Sequence, residues 1–215
     1  MRLSAPASEW SGALLCLSQD VTEFHDPDPT QIVGSPEEVV RLTPQRYMAG
    51  AVTDFSAYVT STVTASMHSG GRYNPQCEFG AVYCADAEET AWREVQARLA
   101  REGVVGLPEE MAILRILVKS GMFANFHDDD VCAAWDTVPA QLVSDDPADT
   151  ERLHDLGRQI RVVADFIAAP SARREGGTNY AFFPDRRDSM LEWTLISASV
   201  EPTPVHLQQQ SREGW

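Results

Sequence analysis

The sequence predicts an α+β domain. Segments of strand and helix character follow one another along the 215-residue chain without the regular strand–helix–strand alternation of a parallel α/β sheet. AILRILVK at residues 112–119 is a branched, apolar run that reads as the clearest central strand, and GAVYCA at 80–85 as a short buried one. Between them, Ala87, Ala91, Val95 and Leu99 recur every fourth residue with Trp92 on their flank, the pattern of a helix with one buried face.

In chain order, residues 1–36 are mixed and turn-rich, with HDPDP at 25–29 as a loop, and are expected to form an accessory segment. EEVVRL at 37–42 reads as the first strand of the main domain, which is expected to span 37–200. The Ser-, Thr- and Val-rich stretch at 56–69 fits either a strand or a helix. Gly70 and Gly71 then mark a turn in which the backbone can pass close to a ligand, where a Cβ would clash, so that Gly71→Val is expected to cost activity and little stability. Asp86 is placed to cap the following helix, with Glu89 three residues on as a capping-box partner; Gly103 ends it and Pro108 follows. Residues 125–150 are acidic. Asp128, Asp129 and Asp130 are adjacent, so their side chains diverge, and helix capping ahead of VCAAW explains them better than a metal. DDPAD at 145–149 opens a helix running to about residue 162. A strand ending near Ala169, a turn at Ser171, a strand at 180–183 and a last strand at 190–200 complete the domain. Residues 201–215, with Pro202, Pro204 and glutamines at 208–210, are expected to be a fraying tail.

Composition narrows the function. The chain is long enough for a proper core, and 43% hydrophobic and 8% aromatic residues fit a globular protein. A formal charge of −15 repels nucleic-acid phosphates, which argues against a general DNA or RNA binder. No apolar run is long enough to span a membrane, and GALLCL near the start is too short and wrongly flanked for a signal peptide, so a cytoplasmic location is expected. Cys16, Cys77, Cys84 and Cys132 show no CxxC spacing, and no metal is expected.

The chemistry concentrates in SGGRYNPQCEFGAVYCADAEETAWREV at 69–95. Arg72 follows the double glycine with a planar fork of donors suited to two phosphate oxygens. Tyr83 lies in the strand, and Glu94 sits at the edge of the helix's apolar face, an unusual place for a carboxylate. Each residue has an ordinary alternative: a solvated arginine, a core tyrosine, and a Glu94–Arg98 helix pair contributing about 0.2–0.5 kcal/mol. His68 neighbours the turn, and Arg41 and Arg46 are close enough in sequence to join it.

Together these residues resemble the RES domain family. The order GGRYNP, a strand with Tyr83, and ETAWREV with Glu94 follows its pattern, with Tyr73 in place of the usual tryptophan. The family's distant serine matches Ser171 in AAPSARREGGTNYAFFP, with Asn179 before the apolar strand. The resemblance covers about residues 37–200. It implies an ADP-ribosyltransferase-like split β-sandwich with flanking helices that grips NAD as its substrate. It assigns Arg72, Glu94 and Ser171 to catalysis, and Arg72, Tyr73, Tyr83, Ser171 and Asn179 to NAD binding. The implied activity is cleavage of the nicotinamide–ribose bond by hydrolysis or phosphorolysis, depleting NAD as a toxin. An ADP-ribosyltransferase acting on a specific protein and a catalytically silent nucleotide- or partner-binding module remain as alternatives. An Xre-like antitoxin is the implied protein partner, and a homo-oligomer stays open.

Overall fold

A computed structural model describes residues 30–32, 37–101, 103–104, 110–202 and 204. Eight strands form a sheet in the order β1-β5-β6-β7-β3-β2-β4-β8. They are β1 (Thr30–Ile32), β2 (Glu37–Pro44), β3 (Val82–Ala85), β4 (Glu110–Ser120), β5 (Met122–Asn125), β6 (Phe166–Pro170), β7 (Thr178–Phe182) and β8 (Glu192–Pro202). The helices are α1 (Met48–Thr53), α2 (Phe55–Ser69), α3 (Glu88–Arg101), α4 (Asp129–Ala134), α5 (Pro139–Leu142) and α6 (Pro147–Val163).

The sheet is split in its middle. β2 and β4 pair along their length from Glu37↔Val118 to Pro44↔Met111, and β4 pairs with β8, but β2 meets β3 at the single pair Val40↔Ala85. On the other side of this joint, β3, β7, β6, β5 and β1 form the second half. The halves fold face to face: Phe182 of β7 lies against Trp193 of β8 at 5.0 Å between ring centroids. Val39, Leu114 and Ile116 share one core with Val82, Phe166 and Phe182. This is the split β-sandwich that the sequence resemblance implies.

Most expected elements stand where the pattern places them. The ambiguous stretch at 56–69 is helix α2, started by Asp54, whose carboxylate accepts the Ala57 N–H at 2.9 Å. Asp128 caps α4 and Asp146 caps α6 in the same way, the latter with Pro147 in the first turn. Three details differ. α3 begins at Glu88 rather than on an Asp86 cap, and the Asp86 carboxylate accepts the Thr90 hydroxyl at 2.6 Å. Trp92 is at the centre of α3's buried face, packed with Leu42, Met111 and Ile113, rather than on its flank. β8 continues through Glu201 and Pro202, which pair with Met111 and Glu110. Of the N-terminal segment, β1 pairs antiparallel with β5; the 25–29 loop, Cys16, Pro108 and the glutamine run lie outside the described residues.

β5 and β6 are parallel neighbours, so the chain between them must cross over the sheet, and α4, α5 and α6 make that crossover. This crossover carries the α5–α6 connection and α6 to the double-glycine turn. Among the described residues, no helix is long and apolar enough to cross a membrane, and no cluster of His, Cys, Asp and Glu is placed to hold a metal ion.

Candidate active site

The double-glycine turn is locked from both sides. Gly70 ends α2 with φ of 69°, a conformation that glycine adopts without strain, and its N–H donates to Ser66 O at 2.8 Å. Beneath the turn lies Asn74, fully buried, whose Nδ2 donates to the Ser66 and Phe79 carbonyls at 3.1 Å each. The Tyr83 hydroxyl donates to Asn74 Oδ1 at 2.8 Å and accepts the Tyr73 N–H at 3.0 Å. Above it, His154 of α6 donates from Nε2 to the Gly71 carbonyl at 2.8 Å. Arg158 forms a two-pronged pair with Glu78 at 2.8 and 2.7 Å. α6 comes this close because residue 157 is glycine: a Cβ there would stand 1.8 Å from Tyr73 O.

So fixed, the turn projects Arg72 across to the α5–α6 connection. Its Nη1 donates to Leu142 O at 3.1 Å and Ser144 O at 2.7 Å, and its Nη2 pairs with Asp145 at 3.2 Å. Tyr73 is only 2% exposed and belongs to the core under the turn. Burial pushes its phenol well above the ordinary range, with Arg72 pulling it back and the Glu94 carboxylate adding to the rise.

The second part of the site is assembled by three neighbouring strands and α3. Asn179 of β7 lies opposite Ala85 on one side and Ala169 on the other, and Ser171 follows the end of β6. Both aim at one atom: Ser171 Oγ and Asn179 Nδ2 each donate to Glu94 Oε1 at 2.7 Å. Ser171 Oγ in turn accepts the N–H groups of Arg173 at 3.1 Å and Arg174 at 3.2 Å, which fixes its direction. Arg174 pins this turn to the start of α3 through Thr90 Oγ1 at 3.0 Å and Asp86 at 3.4 Å.

The two parts meet. Arg173, two residues beyond Ser171, pairs with the same Asp145 carboxylate that holds Arg72. The structure therefore brings Arg72, Glu94, Ser171 and Asn179 to one region, with Tyr83 and Tyr73 packed beneath it. It does not bring the other candidates there as free groups. Arg41 donates to the Tyr58 hydroxyl at 3.0 Å and the Tyr83 carbonyl at 2.5 Å, which makes it a brace for β3. Arg46 stacks over the Tyr47 ring at 4.9 Å, and His68 is exposed at the end of α2. Sequence reasoning missed Asn74, Asp145, His154 and Gly157. Only Asn74 carried a local signal, as a polar residue directly before a proline in a turn.

Comparisons with known proteins bear on the family and the fold. A family model, RES domain, matches residues 38–206. A solved chain from the M. tuberculosis MbcT–MbcA toxin–antitoxin complex is similar in fold, with a TM-score of 0.58 at 17% identity. The match covers 84% of this chain and 92% of that one. A search of curated proteins gives no match.

Proposed function

The chain belongs to the RES domain family, and on that premise we propose that it cleaves the nicotinamide–ribose bond of NAD. The observation that carries the reading is the Glu94 carboxylate, held through Oε1 by Ser171 and Asn179 in a site that also receives Arg72. When the bond breaks, both electrons leave with nicotinamide, which departs neutral, and positive charge develops on the ribose. A fixed carboxylate beside the ribose stabilises that charge more than it stabilises the ground state. Two donors on Oε1 leave Oε2 to face the sugar, and they keep the carboxylate from turning away. Arg72 holds the diphosphate, so binding energy becomes orientation of the ribose. Tyr73, Tyr83 and Asn74 support the turn that aims it.

Water, phosphate or a protein side chain then captures the ribose. Hydrolysis consumes one water and yields ADP-ribose, nicotinamide and a proton. Draining a cytoplasmic NAD pool is the action of a toxin, and the toxin–antitoxin context of the similar structure supports that role, with an antitoxin as partner.

Purified protein incubated with NAD is expected to release nicotinamide, measured by chromatography with and without phosphate. Glu94→Gln keeps an oxygen for Ser171 and Asn179 but removes the charge, and should lower the rate by about 10²–10³-fold without changing the melting temperature. A wild-type protein that leaves NAD intact with water, phosphate and candidate protein acceptors would sink the reading.

A further inference from the structure

Three arginines from three separate elements meet on one carboxylate. Arg72 comes from the double-glycine turn, Arg101 from the last residue of α3, and Arg173 from the turn after β6. Asp145 receives all three, with Arg72 at 3.2 Å and Arg101 at 3.5 Å on Oδ1, and Arg173 on Oδ2. One negative charge against three positive ones leaves the group cationic, in a chain whose formal charge is −15. The Arg72 and Arg173 side chains are 18% and 24% exposed, whereas Asp145 is 42% exposed and rides on the short connection between α5 and α6. Arg173 Nε is buried with no hydrogen-bond partner among the described residues. Glu94 and Arg101 stand seven residues apart on α3, so one face of that helix presents the carboxylate at one end and this cationic group at the other.

We propose that Arg101 and Arg173 complete with Arg72 a subsite for a diphosphate, and that Asp145 is a built-in competitor that fills this subsite until a ligand displaces it. A diphosphate brings the two or more negative charges that a lone carboxylate does not, and its oxygens match guanidinium forks. Naming the diphosphate as that of NAD rests on the function proposed above; the subsite itself does not. The arginines hold the Asp145 carboxyl below the usual carboxylate range, Arg173 most strongly, so the competitor is charged at neutral pH. The opposing role is that of a clamp that aligns the arginines, and the two roles differ in sign.

Calorimetric titration with inorganic pyrophosphate separates them. Asp145→Asn is expected to bind pyrophosphate about tenfold more tightly than wild type, since a competing charge is gone and the shape is kept. Arg101→Gln and Arg173→Gln should each weaken it by roughly tenfold or more, the size of one lost charge-assisted hydrogen bond. Arg101 is exposed, so its variant tests the subsite without endangering the fold. Weaker or unchanged binding in Asp145→Asn, or loss of its folding, assigns Asp145 to the scaffold and overturns the proposal, as does an Arg101→Gln protein with wild-type affinity. The pyrophosphate shifts without nicotinamide release would remove the NAD reading and leave the subsite; release without the shifts would do the reverse.

Discussion

A methyl group at residue 71 has nowhere to go. A Cβ there would stand 2.6 Å from the Tyr83 hydroxyl and 2.6 Å from Asn74 Oδ1, the two atoms that hold the turn together. From sequence alone, Gly71 reads as a place where a ligand passes close to the backbone, so that Gly71→Val should cost activity and little stability. The structure puts protein, rather than ligand, against that position. Overpacking a fully connected site costs about 1–3 kcal/mol, and at this chain length each kcal/mol moves the melting temperature by roughly 2–4 °C. Gly71→Val is therefore expected to melt several degrees lower and to lose nicotinamide release together with its fold. A thermal melt equal to wild type would return Gly71 to the ligand side. The same contrast shows what was legible at this scale. Arg72, Glu94, Ser171 and Asn179 could be read because motif and order single them out. Asp145 could not, since its importance lies in a partner that local spacing does not reveal, Arg72 seventy-three residues away; Asn74 showed only its place before a turn proline, with nothing to point to Tyr83 nine residues on.

At the scale of elements, the legible features were those written in local physics. α4 and α6 announce themselves by an aspartate before an apolar period, and β4 by a long branched run, because capping and burial act within a few residues. The 56–69 stretch was ambiguous because Thr and Val favour strands; tertiary packing of Tyr58 and Val59 against the sheet decides for a helix. Gly157 in α6 is the sharper case. Glycine inside a helix is about 1 kcal/mol worse than alanine, so propensity alone predicts that Gly157→Ala stabilises. The added methyl would stand 1.8 Å from the Tyr73 carbonyl, a contact with backbone that cannot rotate aside. Contact should win: Gly157→Ala is expected to melt lower than wild type, and to turn NAD over more slowly because α6 and His154 no longer seat the Gly71 carbonyl. A variant that is more stable and fully active would show that α6 is not the element that sets the turn.

At the scale of the whole molecule, the basic residues decide how the chain answers to pH. Of its 17 basic residues, Lys119 is the only lysine, and arginine keeps its charge throughout the accessible range. The alkaline limb of stability therefore belongs chiefly to buried acids. Burial raises the phenols of Tyr73 and Tyr83 above their ordinary value of 10.0, pushes Tyr180 up to about 12, and pushes the Cys84 thiol from 9.0 up to about 12. These groups lie in the cores of both sheet faces. In each case the folded chain keeps a proton that the unfolded chain releases, so the stabilisation is complete below pH 9 and is lost as pH rises through the window up to about 12. Within that window each fully buried group removes about 1.4 kcal/mol per pH unit above its own ordinary value, Cys84 from 9.0 and Tyr73 from 10.0. Half-buried Tyr83 and Tyr180 remove less, since water screens them. The mounting negative charge on a molecule already at −15 acts in the same direction. Urea melts across the range should show a level midpoint to about pH 9 and then a steep fall; in a Tyr47→Phe, Tyr58→Phe protein, whose tyrosines are Tyr73, Tyr83 and Tyr180, tyrosinate absorbance should appear only as the chain unfolds. Tyrosinate signal developing at an ordinary phenol pKa in that variant while it is still folded would mean that these rings are open to solvent, and the packing drawn beneath the double-glycine turn would have to be abandoned.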